Sequence, residues 1–178
     1  MTNSNQIKIN YIAKTFGAAL TTAGFKMVKS SYDSLAPVQF PFGFIKEATD
    51  KIKSMSVSQR DYFYYFTNWE NEEEMLAVIW RIVKNFKWEK DKFDCDDRSK
   101  LVSALHSLFF GLNSCGEIYC KVTNLRTGDS VLHWANIIIT SNGDAYLFDC
   151  SNSGLAMKLK PGEFAMGKWS YVFNNCRF

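Results

Sequence analysis

The spacing of apolar residues changes part-way along this chain, and that change constrains the fold more than any other feature. Between Asn71 and Phe86, the residues Met75, Val78, Ile79, Ile82, Val83 and Phe86 return every three or four positions, the period of one helix face. The run opens on Glu72-Glu73-Glu74 and carries Arg81, Lys84 and Lys87 toward its end, an order that complements the helix dipole. A second helix is expected from about Cys95, with Leu101, Leu105, Leu108, Phe109 and Leu112 on its buried side. Gly111 and the stretch Asn113–Gly116 stop it. Beyond that point the period falls to two. Glu117–Thr123, Val131–Thr140, Ala145–Asp149 and Lys168–Phe173 read as strands, separated by Thr127-Gly128-Asp129, Ser141-Asn142-Gly143-Asp144 and Pro161-Gly162. Helices followed by an antiparallel sheet place the chain in the α+β class rather than among doubly wound folds.

Upstream, Tyr11, Ile12, Phe16, Ala19, Leu20 and Ala23 recur at helical spacing between Asn10 and Val28. Ser30 to Gly43, with Pro37 and Pro41, has the composition of an irregular connection. A short helix is expected over Phe44 to Met55, where Ile45, Ala48, Ile52 and Met55 share a face. Ser58 is placed to cap another, running through the aromatic cluster Tyr62 to Trp69. The resulting division is a helical N-terminal extension, residues 1–70, packed on a core formed by residues 71–178. At 178 residues and 47% hydrophobic content the whole is the size of one domain.

The 21 basic and 18 acidic residues are interspersed and form no basic stripe, which argues against nucleic acid as a partner. Nowhere do about 18 apolar residues follow one another, and no apolar leader follows the polar start, so no membrane span or export signal is expected and synthesis is placed in the cytoplasm. Five cysteines at irregular spacing read as reduced thiols rather than a disulfide framework. Cys115 and Cys120 form C-x4-C without a second pair, so neither a metal nor any other cofactor is expected.

The chain has two histidines. His106 lies on the same expected helix as Cys95, about 16 Å away at the helical rise of ~1.5 Å per residue, and is expected on a partly exposed flank. His133, on a strand, can be brought opposite the start of the Cys95 helix. There the helix dipole and free N–H groups favour a thiolate, whereas Asp94, Asp96 and Asp97 oppose it. Asp149 closes the next strand, within reach of the far imidazole nitrogen. Cys95 is therefore the candidate nucleophile, His133 the base and Asp149 the orienting group. Asn136 points to the other face of the His133 strand, and Cys150 away from Asp149.

The segments Phe93-Asp94-Cys95-Asp96-Asp97-Arg98, His133-Trp134-Ala135-Asn136 and Tyr146-Leu147-Phe148-Asp149 together resemble the three motifs of the transglutaminase-like superfamily, in its bacterial and viral cysteine-peptidase-like branch. Phe93 replaces the glycine usual before Asp-Cys, and the order His-Trp-Ala-Asn differs from His-Ala-Trp-Asn. The resemblance implies a papain-like core with the nucleophile at a helix N-terminus. It also implies a cysteine peptidase, amidase or acyl-transferase that forms a thioester with a peptide or protein amide substrate. The alternative is a structural or assembly protein on this fold, such as a phage virion component with a dormant triad. In either case the aromatic-rich N-terminal region is expected to contact other chains in an oligomer or larger particle.

Overall fold

Aromatic and β-branched residues between Cys115 and Arg177 build six strands of one seven-stranded sheet, and Ser56–Ser58 supplies the seventh. The structure, a computed structural model, describes residues 37–53, 55–151, 154, 156–162 and 164–178. Strand β1 (Val38–Pro41) leads into helix α1 (Phe42–Asp50), which is followed by β2 (Ser56–Ser58) and β3 (Phe63–Phe66). Helices α2 (Trp69–Val83) and α3 (Cys95–Phe110) come next. The remaining strands are β4 (Cys115–Asn124), β5 (Ser130–Ile139), β6 (Ala145–Phe148), β7 (Ala156–Lys158), β8 (Ala165–Met166) and β9 (Trp169–Arg177). The sheet runs β2-β9-β4-β5-β6-β7, with β8 paired to β9, while β1 and β3 form a separate ribbon.

Each face of the sheet is covered. Alternation along β5 sends Ala135, Ile137 and Ile139 to one side, where they pack with Ile118, Leu147 and Phe173 against Ile45 and Ala48 of α1 and against Tyr64 and Phe66. Ile138 and Phe148 point the other way, into Ile79, Ile82, Val102, Leu105 and Phe110 of α2 and α3. Residues 37–70 thus contribute Ile45, Ala48, Tyr64 and Phe66 to the core on this face of the sheet. The expected helix over Asn10–Val28 lies outside the described residues.

The expectation of an α+β chain with a helical N-terminal half followed by an antiparallel sheet is corrected. Among the described residues there are three helices and nine strands, and strands begin at Val38. Two segments read as connection or helix are the β1–β3 ribbon: Pro41 pairs with Phe63 and Val38 with Phe66. Consecutive aromatics carry no helical period. Phe63-Tyr64-Tyr65-Phe66 instead alternates exposed, buried, exposed, buried, which an extended chain satisfies and a helix does not. Nor is the sheet wholly antiparallel, because β2 joins β9 in parallel.

Helices α2 and α3 form where the apolar stripes put them. Asn68 caps α2, accepting from the Asn71 N–H at 3.0 Å. Gly111, left-handed at φ 65°, ends α3. The buried stripe of α3 is Val102, Leu105, His106 and Phe109, which rotates Leu108 into solvent at 69% exposure. His106 is accordingly corrected from a half-exposed flank to a fully buried position. Its Nε2 lies 2.7 Å from Glu72 Oε2 and its Nδ1 3.1 Å from the Leu112 carbonyl oxygen, while Ser114 Oγ donates to Glu72 Oε1 at 3.1 Å. Two acceptors on one ring require two N–H donors, so the imidazole is held as the cation. Burial opposes that charge, but the Glu72 carboxylate and the Leu112 carbonyl outweigh it and raise the His106 pKa above its ordinary 6.5.

This buried pair joins α2, α3 and the entry to β4, and two effects follow. Glu72→Leu strands the imidazolium and is expected to cost about 3–5 kcal/mol in urea unfolding. Because the folded-state pKa of His106 is raised, the pair's contribution is complete below pH 6.5 and declines as pH rises through the elevated value. The wild-type advantage over Glu72→Leu should therefore shrink on the alkaline side, and an advantage that grew with pH would contradict the charged pair.

Candidate functional site

Strand β5 is longer than its neighbour β6. Their pairing covers only Asn136 to Ile139, leaving the first half of β5 with an open edge. Helix α3 starts against that edge. Ser99 Oγ donates to the Ala135 carbonyl at 2.7 Å, and Asn136 Nδ2 donates to the Ser99 carbonyl at 2.9 Å, which pins the first turn of α3 to β5 and holds Cys95 beside His133. Continuing the β5–β6 register sets Asp149, the residue after β6, across from Ala135 and on the face that carries His133.

The three candidate residues are consequently neighbours. His133 Nε2 lies 3.1 Å from Asp149 Oδ2, and the thiol of Cys95 interacts with the same imidazole. The Asp149 carboxylate is fixed by two further donors that the sequence did not single out. The Tyr171 hydroxyl donates to Oδ2 and the Ser151 N–H to Oδ1, both at 2.9 Å. Tyr171 was legible only as one alternating aromatic of β9; no motif marks its hydroxyl. Asn136 lies on the opposite face, where it ties β5 to α3.

The electrostatics follow from these contacts. The Cys95 pKa is lowered, chiefly by the bond to His133 and also by the Trp134 backbone, against burial and the nearby Asp94 charge. Burial disfavours the His133 cation, but Asp149 and Cys95 reverse that and push its pKa up to about 9. Burial also works against the Asp149 charge, yet His133, Tyr171 and Ser151 hold its carboxyl below the usual range. The other four thiols are buried, and burial pushes Cys120, Cys150 and Cys176 up to about 12 and Cys115 further still. Cys95 is the one thiol of the five whose pKa is lowered rather than raised.

A pocket of 260 Å³ adjoins the imidazole, on the sheet face where Val122, Val131, His133 and Tyr171 sit side by side across three strands. Among the described residues the carboxylates of Asp94, Asp96 and Asp97 converge to within 4.8 Å, but Lys100 already pairs with Asp96 and Asp97. No described helix is long and apolar enough to cross a membrane.

No protein-family model matches the chain, and no curated protein does. Its fold is similar to solved structures at low sequence identity. One is the PSL1a–E64 complex, at TM-score 0.54 and 13% identity, covering 79% of this chain and 51% of that one. Another is Polyporus squamosus lectin bound to the human-type influenza-binding epitope Neu5Acα2-6Galβ1-4GlcNAc, at TM-score 0.52 and 12% identity, covering 79% and 49%. The chain thus spans about half the length of the chains it matches.

These findings correct the sequence-based assignment. The transglutaminase-like resemblance rested on three short motifs, and the shared fold is that of lectin structures rather than of that superfamily. The expected papain-like core is withdrawn with it. So is the cysteine peptidase, amidase or acyl-transferase function on a peptide or protein amide, which the resemblance alone supplied. The phage virion alternative is withdrawn too, because it was built on that same superfamily fold.

The thiol–imidazole pairing makes a pH signature. Alkylation of Cys95 by iodoacetamide should already be fast below the ordinary thiol value of 9.0 and change again near pH 9, as His133 loses its proton. Asp149→Asn removes the charge that raises His133, so the second transition moves down and the Cys95 transition moves up. Superimposable pH–rate curves for the two proteins would show that the chain of three does not operate.

Proposed function

We propose that this domain carries a thiolate nucleophile, Cys95, which attacks an electrophilic carbon of a ligand seated in the adjoining pocket. The observation that supports it is the pairing of the one thiol of lowered pKa with an imidazole raised to about 9, itself held by a buried carboxylate. His133 takes the thiol proton and keeps it as the imidazolium. Asp149, anchored by Tyr171 and Ser151, fixes the ring so that one nitrogen faces the carboxylate and the other the thiol. The new bond joins Cys95 Sγ to the ligand carbon, and the displaced electron pair leaves with the ligand's own leaving group or collects on its heteroatom.

The test is mass mapping of modification by iodoacetamide at pH 7. Cys95 should be labelled at least tenfold faster than the other four cysteines in the native protein, and His133→Ala should lower its rate about tenfold or more. E64, the compound in the PSL1a complex, serves as a second probe, with mass addition expected at Cys95. Uniform labelling of the five cysteines, with His133→Ala indistinguishable from wild type, would remove the proposal.

A second reading is glycan binding without covalent chemistry. It draws on the lectin bound to a sialylated epitope and on the aromatic and polar lining of the pocket, Trp169, Tyr171 and Ser151. Titration with Neu5Acα2-6Galβ1-4GlcNAc, monitored by tryptophan fluorescence, separates the two. Saturable binding that survives Cys95→Ala, together with an unreactive Cys95, favours this reading.

A further inference from the structure

The pocket beside His133 has a charge character of its own. Its walls are largely apolar: Val122 and Val131 on neighbouring strands, and the rings of Trp169 and Tyr171 on β9. Three lining residues carry full charges, Asp149, the His133 imidazolium paired with it, and Lys168, and they differ in what is left for a ligand. Asp149 is already engaged at both oxygens, by His133 and Tyr171 at one and by the Ser151 N–H at the other. It has little capacity to grip a ligand cation. Lys168 is exposed, and among the described residues no carboxylate pairs with it. Its ammonium lies 5.3 Å from the centre of the Trp169 ring, which holds the charge at the pocket wall. Among the described residues, a ligand entering here therefore meets apolar surface and one uncommitted positive charge.

We propose that the pocket is a subsite for an anionic group, a carboxylate carried on a flat or branched apolar body, and that Lys168 determines this preference. The apolar body rests on Val122, Val131 and the Trp169 ring, and its carboxylate accepts from Lys168 Nζ. A volume of 260 Å³ lies just below the range of about 300–1,000 Å³ for whole-ligand pockets, so it suits one ring or one branched side group rather than an extended ligand. The proposal deepens the thiolate reading, on which it rests for its kinetic readout. It names the class of electrophile Cys95 receives.

The probes are 4-(bromoacetamido)benzoate and 4-(bromoacetamido)benzamide, which share the alkylating carbon and the ring and differ in charge. In each, Cys95 Sγ forms a bond to the methylene carbon, bromide leaves with the electron pair, and the thiol proton stays on His133. Rates are divided by those with free cysteine. The benzoate is expected to modify the wild-type protein about fivefold faster at low salt, the size of one exposed ion pair, with the difference in the saturation constant. The preference should narrow near 1 M salt, vanish in Lys168→Met and return in Lys168→Arg. Equal normalised rates on the wild type, or a preference that persists in Lys168→Met, overturns the subsite. If Cys95 reacts no faster than free cysteine, the thiolate reading fails separately. The subsite is then judged by fluorescence titration with unreactive 4-acetamidobenzoate and its amide. Selective binding of the benzoate that is lost in Lys168→Met supports it, and equal binding of the two overturns it.

Discussion

The hydrogen bond from Ser99 Oγ to the Ala135 carbonyl fastens the first turn of α3 to the stretch of β5 that β6 leaves unpaired. An open sheet edge presents backbone groups that need partners, and here the helix bearing Cys95 supplies one. Asn136 reinforces the join from the opposite face by donating to the Ser99 carbonyl. The short β6 has a second effect: it ends where its next residue, Asp149, faces the histidine of the longer strand. A β6 two residues longer would occupy the edge that α3 now takes and carry Asp149 into a regular strand.

The two histidines of the chain sit in contrasting surroundings. Both are paired with a carboxylate, Glu72 for His106 and Asp149 for His133. At His106 the second ring nitrogen is committed to the Leu112 carbonyl, the ring is sealed from water, and nothing is left to exchange a proton. At His133 the second nitrogen faces a thiol instead, and the side chain keeps 12% exposure beside a pocket. Similar ion pairs thus lie sealed in the core in one place and beside a thiol and a pocket in the other.

The charges around Cys95 do not all favour a thiolate. Asp94 opposes it, as does burial, and the first turn of α3 carries Asp96 and Asp97 as well. The imidazolium prevails because it contacts the sulfur directly, whereas Lys100 draws Asp96 and Asp97 into its own ion pairs. The lowered pKa of this thiol therefore depends on His133, which is itself held by Asp149 with Tyr171 and Ser151.

The sequence by itself determined the two amphipathic helices, the turn-bounded strands and the order in which Cys95, His133 and Asp149 occur, because periodicity and turn chemistry are local properties. It led astray at Tyr62–Trp69, where a run of aromatics lacks any period that separates helix from strand until the buried face is known. It led astray again at His106, whose burial depends on a glutamate from another helix. The superfamily assignment failed for a related reason: short motifs record which residues lie close in sequence, not the sheet order around them. Tertiary structure alone decided that β2 joins β9 in parallel, that the Tyr171 hydroxyl and Ser151 N–H reach Asp149, and that Lys168 and Trp169 line a pocket against His133. Those contacts join residues far apart in the chain, and their geometry is set by strand register and helix docking, which no local pattern encodes.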